Sequence, residues 1–351
     1  MTSGSLMGHV WILNANENDA ADKLHQFIKS VGLPHDLHSV IIKPNVCCVN
    51  CSAAAVSDMR IVEGLLRAIH EASHESKVYI VESDNNSRRA MDAFRKHGYT
   101  KLAERYGVQV VNLSKMKTIR VKSPVLKYFR EVPVPEIFWN ADYFISVGKL
   151  KTHNERKFTC ILKNQFGCLP TQRKARYHPF LADVISDLNA VLKPDLCVVD
   201  AIIGMEGYGP QWGTPRRMNM LIVGDDPVLT DTIAARMIGL NPNRVPYILR
   251  SQEKGVGEMS GMVHTEGAVI PQFNFKRVSA IAALSYRTAD SIDRTVHSIS
   301  SEINTLTEII RSMGSIWHVQ HSMYGRRAIF RLLKYTFINP GILRWIRRQH
   351  H

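Results

Sequence analysis

The chain has few cysteines and no long apolar run. The first excludes a disulfide-dense scaffold, and the second excludes a membrane-spanning helix. Its 351 residues include only six cysteines, too few for a disulfide-dense scaffold. Because the amino terminus shows no export signal, we expect reduced thiols. No stretch approaches the roughly 20 apolar residues that span a bilayer. We therefore expect a cytoplasmic protein whose 45% hydrophobic residues supply a substantial core.

Acidic residues are missing from the last part of the chain. The formal net charge is +14, and eight Lys and Arg but no Asp or Glu follow Glu308, which leaves +6 on residues 1–308. Residues 326–338 predict a basic, aromatic-bearing amphipathic helix. Such a helix either docks on an anionic membrane surface, through residues 311–351, or packs its apolar face on the domain. The body has no basic stripe or nucleic-acid motif, so nucleic-acid binding is not expected.

Short β-branched runs alternate with helical spacing along most of the chain. Strands are predicted at 39–43, 78–82, 108–113, 143–147, 196–200 and 220–223. Helices are predicted from near Ser57 and over 88–106, 181–192 and 227–239. Near-continuous apolar strands are typical of a parallel sheet covered on both faces. We predict an α/β three-layer sandwich with a mostly parallel sheet over 1–285, followed by a helical, basic C-terminal extension over 286–351.

Five predicted strands run directly into polar or glycine-rich sequence. These segments are 43–45 (KPN), 83–86 (SDNN), 148–153 (GKLKTH), 204–210 (GMEGYGP) and 224–227 (GDDP). Ligands of open α/β sheets bind in the crevice outside the carboxyl ends of the strands. The sequence therefore predicts that all five segments meet at one edge and form a site for a small anionic ligand.

Residues 148–178 are the richest part of this predicted site. Lysines suit a carboxylate or phosphate ligand, and a buried lysine can act as a base because burial lowers its pKa. Histidines transfer protons or bind metals. The predicted catalytic residues are Lys163, His153, His178 and Glu206. The predicted ligand-binding residues are Lys43, Asn45, Asp84, Lys149, Lys151, Asn164, Gly207, Gly209 and Asp231.

Two further patterns have a structural interpretation as well as a functional one. The loop containing Gly207 and Gly209 is neither a Walker A loop nor a dinucleotide fingerprint, but its glycines permit close backbone approach to a ligand. Asp226, directly before Pro227, predicts a helix N-cap. Asp231, one turn further, is the residue of this helix that we expect to face the ligand.

The cysteines leave a metal site open. Cys47, Cys48 and Cys51 contain a single Cys-x-x-Cys pair, whereas zinc or an iron–sulfur cluster needs about four ligands. The set could be completed in space by Cys160 and Cys168. The predicted metal ligands are His153, His178, Cys47, Cys48 and Cys51, and the alternative is reduced thiols without a metal ion.

Several of these segments resemble the domain of unknown function 362 family. The resemblance covers roughly residues 40–249. It rests on 43–45 (KPN), 78–84, 94–99, 148–153 (GKLKTH), 162–167 (LKNQFG), 199–202 (VDAI), 207–210 (GYGP) and 226–236. It implies an α/β fold and no settled reaction. Several members carry ferredoxin-like cysteine runs and are described as iron–sulfur proteins, and this chain lacks those runs.

A fainter similarity is to the lactate racemase group, which holds a nickel-pincer nucleotide on a lysine and moves a hydride at a hydroxy acid. In that group a histidine follows the lysine, and Lys163 and His178 have matching spacing, fifteen residues apart. The group's amino-terminal histidine-containing signature is not found here. The similarity implies a lysine-bound cofactor and oxidoreductase or isomerase chemistry.

Three functional interpretations follow from the sequence. The first is an enzyme acting on a small carboxylated or phosphorylated molecule, with a metal ion or a lysine-bound cofactor. The second is an iron–sulfur or other metal-carrying redox protein. The third is a scaffold that docks on a membrane surface through 311–351. We favour the first, because cations and carboxylates are predicted at the same edge of the sheet. The sequence predicts no oligomeric state.

Overall fold

A computed structural model describes residues 7–85, 88–153, 157–267 and 269–276, all within the unit Met1–Arg277. The strands are β1 (His9–Asn14), β2 (Ser39–Pro44), β3 (Lys77–Glu82), β4 (Gln109–Asn112), β5 (Thr118–Val121), β6 (Val132–Pro135), β7 (Tyr143–His153), β8 (Lys157–Thr159), β9 (Leu196–Glu206), β10 (Thr214–Gly224) and β11 (Met262–Thr265). The helices are α1 (Ala20–Val31), α2 (Met59–Ala72), α3 (Ala90–Lys96), α4 (Tyr99–Tyr106), α5 (Ile161–Asn164), α6 (Leu181–Val191), α7 (Pro227–Met237) and α8 (Pro246–Glu253).

The predicted helical extension 286–351, with its basic segment 311–351, lies outside the described residues. Its boundary with the domain of 1–285 therefore stays a prediction. Across the described ranges, no helix combines the length and the apolar character needed to cross a membrane.

The main sheet has the order β11-β1-β10-β9-β7-β2-β3-β4, with β8 paired to β7, and β5 pairs with β6 in a separate ribbon. Strands β2, β3, β4, β7 and β9 run parallel to one another. Strand β10 is antiparallel to both β9 and β1. The predicted mostly parallel α/β sheet is confirmed.

The direction of β10 corrects one sequence prediction. Gly224, at the end of β10, pairs with Cys197 at the beginning of β9. Residues 224–227 therefore lie at the opposite edge from the carboxyl ends of the parallel strands. The expectation that all five polar segments meet is wrong for this one, because an apolar run in sequence carries no information about strand direction.

Helices cover both faces of the sheet and make the three-layer sandwich. The apolar sides of α1 to α4 pack on one face and those of α5 to α8 on the other. Alternate side chains of a strand point to opposite faces. In β2, for example, Val40 and Ile42 belong to the core under α1 and α2, whereas Ile41 belongs to the opposite core.

Two helix predictions show where local sequence decides the structure. Asp226 caps α7, because its side chain accepts hydrogen bonds from the backbone N–H groups of Val228 and Leu229; the predicted N-cap is confirmed. The single helix predicted over 88–106 is two helices, α3 and α4. They are separated at Gly98, whose φ of +84° is outside the helical range and costs glycine little.

Candidate functional site

Three cations surround one carboxylate at the carboxyl ends of β2 and β3. The Nζ atom of Lys43 donates to Glu82 Oε2 at 2.8 Å, and Arg88 Nη2 lies 3.4 Å from Glu82 Oε1. Lys174 Nζ donates to the hydroxyl of Ser83, the residue after Glu82. Each of the four charged side chains is at most 8% exposed. We call Lys43, Glu82, Arg88 and Lys174 the cation cluster.

Burial and charge act against each other in the cation cluster. Burial raises the pKa of Glu82, but the positive charges of Lys43, Arg88 and Lys174 outweigh burial and hold that pKa below its ordinary value. Burial lowers the pKa of Lys174 to about 7, despite the opposing charge of Glu82. A buried region with more cations than carboxylates favours a bound anion, because the anion would return the missing negative charge.

One donor of the cation cluster has no acceptor. The Nε atom of Arg88 is buried and makes no hydrogen bond to any residue that the structure describes. Buried donors are nearly always paired, so an orphaned guanidinium N–H is a place where a ligand oxygen fits. Gly167 packs tightly beside the same cluster, since a Cβ there would lie 2.5 Å from Lys43 Nζ and 2.6 Å from Glu82 Oε1.

Two asparagines connect the cation cluster to β7. The Oδ1 atom of Asn164, at the end of α5, accepts from Lys43 Nζ at 3.3 Å and from Asn45 Nδ2 at 3.2 Å. Asn45 Oδ1 in turn accepts from Lys151 Nζ at 2.9 Å. Strand β2 ends at Pro44 while β7 continues to His153, so Asn45 can reach the lysine on the longer strand. A continuous hydrogen-bonded chain therefore runs from Glu82 to Lys151.

Among the residues that the structure describes, Lys151 has no carboxylate as a hydrogen-bond partner. Besides Asn45, its ammonium donates to the carbonyl of Ala55 at 2.8 Å and lies 3.6 Å from the Cys47 thiol. Lys151 is fully buried, and burial lowers its pKa although the nearby Cys47 opposes this. Lys151 is thus a second buried amine at this edge with too little negative charge around it.

Lys149, two residues earlier on the same face of β7, is neutralised. Its ammonium donates to Asp200 Oδ2 on β9 at 2.8 Å, and both side chains are at most 2% exposed. The same carboxylate oxygen accepts from the backbone N–H of Asp58 at 2.8 Å. Lys149 therefore joins β7 to β9 as an ion pair, and an anion would have to compete with Asp200 for it.

The cysteines of residues 47–51 are arranged differently from the prediction. Cys48 and Cys51 form a disulfide, whereas Cys47, Cys160, Cys168 and Cys197 carry free thiols. The expectation of reduced thiols is therefore wrong for this pair, because two sulfurs three residues apart in a tight loop come within bonding distance. Of the three cysteines in residues 47–51, the disulfide leaves only Cys47 with a free thiol for a metal ion.

No metal site is found in the described ranges. Within residues 7–276, apart from the masked gaps, no group of three or more His, Cys, Asp and Glu side chains is close enough to hold an ion. An iron–sulfur cluster on Cys47, Cys48 and Cys51 does not fit this arrangement. The predicted roles of His153 and His178 as metal ligands stay predictions.

Asp84 and the glycine-rich loop hold the edge together through protein contacts. Asp84 Oδ1 accepts from the backbone N–H of Ala90 at 2.8 Å and from Asn112 Nδ2 at 2.9 Å.

The loop after β9 is fixed to β7, because Thr152 Oγ1 donates to the Gly207 carbonyl at 2.9 Å. A Cβ at Gly209 would lie 1.9 Å from the Thr152 carbonyl oxygen. This glycine allows the loop to pack closely on β7, and the predicted approach of a ligand to Gly207 and Gly209 stays a prediction.

The predicted catalytic residues lie around this edge on separate elements. Lys163 is in α5 beside Asn164, and His153 is the last residue of β7. His178 lies in a 3₁₀ segment, with its ring 6.1 Å from that of Phe166. Glu206 ends β9 and accepts from the backbone N–H of Lys276 at 3.1 Å. Their catalytic roles stay predictions.

Asp231 acts on the site through α5. Its carboxylate accepts from the backbone N–H groups of Ile161 and Leu162, at 2.8 and 3.2 Å. Burial raises its pKa to about 7, against these hydrogen bonds. Asp231 therefore caps the short helix that carries Lys163 and Asn164, and its predicted contact with a ligand stays a prediction.

Sequence reasoning missed three members of the cation cluster. Glu82 ends a predicted strand, Arg88 falls within a predicted helix, and Lys174 lies in the lysine-rich stretch 148–178. Only Glu82 carried a usable signal, since a carboxylate at the last position of an apolar strand needs a cation nearby. The residues that supply the cations are 6 and 92 positions further along the chain, and no local pattern connects them.

Comparisons with known proteins place this chain among its relatives. A family model described as "Domain of unknown function (DUF362)" matches residues 40–236. A thylakoid-associated protein of Synechocystis sp. is 29% identical over 124 residues, which cover 33% of this chain and 39% of that protein. The lactate racemase apoprotein from Thermoanaerobacterium thermosaccharolyticum matches with a TM-score of 0.35 and 11% identity, over 55% of this chain and 50% of that chain. A TM-score this low supports no inference about function.

Proposed function

The chain belongs to the domain of unknown function 362 family, and we propose that it is an enzyme that binds a small carboxylated or phosphorylated molecule at the carboxyl edge of its sheet. The observation that carries the proposal is the cation cluster. Three buried cations face one carboxylate there, and a buried guanidinium N–H has no acceptor among the described residues.

Each member of the cation cluster has a separate part in the proposal. Arg88 offers its unpaired Nε–H to a ligand oxygen, and Lys174 supplies an ammonium held only by a hydroxyl. Glu82 and Asn164 fix the amine of Lys43 within the cation cluster. Preorganised charged donors of this kind hold carboxylates and phosphates in proteins.

The chemistry of the reaction falls to groups around the cluster. In this proposal His153 or His178 transfers a proton, and Glu206 orients the ligand. Lys163 lies on the short helix α5, directly before Asn164, the residue that accepts hydrogen bonds from both Lys43 and Asn45. We propose in addition that Lys163 is the residue that would carry a lysine-bound cofactor.

Binding of simple anions tests the proposal. Isothermal titration calorimetry with inorganic phosphate and, separately, with lactate should detect binding to the wild-type protein. We expect Arg88→Gln to weaken it by about 2 kcal/mol, or roughly thirtyfold in Kd, the usual size for a charged hydrogen bond. The matched control is Arg95→Gln, since Arg95 is exposed on α3 and should leave Kd unchanged.

The pH dependence of binding gives a second readout. A bound anion needs Lys174 protonated, and its pKa is about 7 in the ligand-free protein. Affinity should therefore fall by up to about tenfold per pH unit above pH 7. If neither anion binds the wild-type protein, or if Arg88→Gln binds as tightly as Arg95→Gln, the proposal is wrong.

A second candidate function is attachment to an anionic membrane surface. The specific observation in its favour is the name of the thylakoid-associated relative, together with the run of basic residues in 311–351. Flotation with vesicles containing phosphatidylglycerol should recover the full chain, and deletion of 311–351 should abolish recovery. Equal recovery of both proteins would reject this role.

A further inference from the structure

We propose that Cys47, Cys48 and Cys51 form a thiol–disulfide exchange centre, in which the Cys47 sulfur displaces Cys51 from Cys48. The proposal is independent of anion binding, because it stands on the cysteine loop rather than on the cation cluster.

The attacking sulfur is already in contact with one sulfur of the disulfide. Cys47 Sγ lies 3.5 Å from Cys48 Sγ, which is bonded to Cys51 Sγ. Exchange proceeds by attack of a thiolate on one sulfur of a disulfide. Nucleophile and electrophile thus belong to adjacent residues, and their sulfurs are in contact.

A cation lies beside the attacking sulfur. Lys151 Nζ is 3.6 Å from Cys47 Sγ and has no carboxylate among its described hydrogen-bond partners. Reactive cysteines lie next to cations and are accessible to solvent, whereas buried structural cysteines are inert. Cys47 is partly exposed, while Cys160, Cys168 and Cys197 are buried.

The backbone of Cys48, which carries the electrophilic sulfur, is held by a contact to a histidine. The Nε2 atom of His97 lies 2.8 Å from the carbonyl oxygen of Cys48. The Cys47 thiol also contacts the Ala55 carbonyl at 3.2 Å, which limits its movement. These contacts fix the loop on both sides of the two sulfurs that react.

The exchange balances without an outside oxidant or reductant. The Cys47 thiol loses its proton to water, and the resulting thiolate, beside Lys151, forms a bond to Cys48 Sγ. The Cys48–Cys51 bond breaks, its electron pair remains on Cys51, and that thiolate takes a proton from water. One thiol and one disulfide are present before and after, but the free thiol has moved from Cys47 to Cys51.

Differential labelling of the full, non-reduced chain tests the exchange. The native protein is incubated with iodoacetamide, and fragment-ion spectra of the peptide containing residues 47–51 locate the label. We expect label on Cys47 and on Cys51 in separate molecules, with none on Cys48. In Cys47→Ser we expect neither remaining cysteine of the loop to react. Cys160, Cys168 and Cys197 report folding, because they stay unlabelled only in the native protein.

Two further variants separate exchange from simple exposure. Cys51→Ser, oxidised with glutathione disulfide, should form the Cys47–Cys48 bond. Lys151→Met should slow labelling of the loop about tenfold, because the thiolate loses its neighbouring cation, and Lys101→Met, at an exposed site on α4, should not. Label confined to Cys47 in the wild-type protein, label on Cys51 in Cys47→Ser, or absence of the Cys47–Cys48 bond in Cys51→Ser would each overturn the proposal.

Discussion

Replacing Lys174 with methionine should stabilise the protein at neutral pH and do so progressively less as the pH rises. The pKa of Lys174 falls from 10.5 to about 7 in the folded protein because the amine is buried. At about 1.4 kcal/mol per pKa unit, its protonation in the native state is disfavoured by roughly 5 kcal/mol. Methionine has similar length and carries no charge to bury.

The sign of the effect follows from proton counting. Between pH 7 and 10.5 the unfolded chain holds a proton on residue 174 that the native wild-type protein lacks. Wild-type stability therefore rises with pH in this window, by up to about 1.4 kcal/mol per unit from this group. The methionine variant lacks this contribution. Its advantage over the wild-type protein should shrink by roughly 3 kcal/mol between pH 7.5 and 9.5.

Urea unfolding followed by tryptophan fluorescence measures the difference. Wild-type and variant proteins are compared at pH 7.5, 8.5 and 9.5 in buffers without phosphate or carboxylate, since either anion could occupy the site. Lys101→Met, an exposed substitution on α4, controls for the general effect of removing a lysine. A difference between Lys174→Met and the wild-type protein that is constant over this range would refute the burial argument.

Two other substitutions test the neighbouring contacts. Lys149→Met should destabilise the protein by about 3–5 kcal/mol, because Asp200 is left as an unpaired buried charge; adding Asp200→Asn should recover part of the loss in a double-mutant cycle of urea unfolding. Gly209→Ala should lower the melting temperature by several degrees, since its Cβ would lie 1.9 Å from the Thr152 carbonyl oxygen, while Gly267→Ala, which meets no atom within 4 Å, should leave it unchanged. Equal melting temperatures for the two alanine variants would contradict the packing argument.

Much of the fold is predictable from sequence because its signals are local. The apolar runs at 39–43, 78–82 and 143–147 are strands of the central sheet, and the helix predicted from near Ser57 begins at Met59. What the sequence does not specify is pairing. Strand β10 has the same apolar character as its neighbours but is antiparallel to them, and only long-range hydrogen bonding decides that.

In the site, too, local sequence indicates which residues are involved, whereas distant partners determine their contacts. The sequence predicts Lys43, Asn45 and Lys151 because they lie at or just after the ends of predicted strands. It predicts Asn164 because it lies in the lysine-rich stretch 148–178. In the structure these four residues are joined by hydrogen bonds. Their chemical state could not be predicted, because it depends on partners far along the chain. Lys151, for example, donates a hydrogen bond to Asn45, which lies 106 residues earlier in the chain.

The energetics of the two unneutralised lysines argue for a binding role at this edge. Lys151 and Lys174 are buried, and burial lowers the pKa of each. A well-packed apolar side chain would stabilise either position better than a buried amine without a carboxylate in contact. Lys149 shows that the same fold can neutralise a buried lysine, since Asp200 is hydrogen-bonded to it. Among the described residues, neither Lys151 nor Lys174 is hydrogen-bonded to a carboxylate. This matches a ligand that brings its own negative charge, and binding that ligand would draw a proton onto Lys174 at pH values above 7.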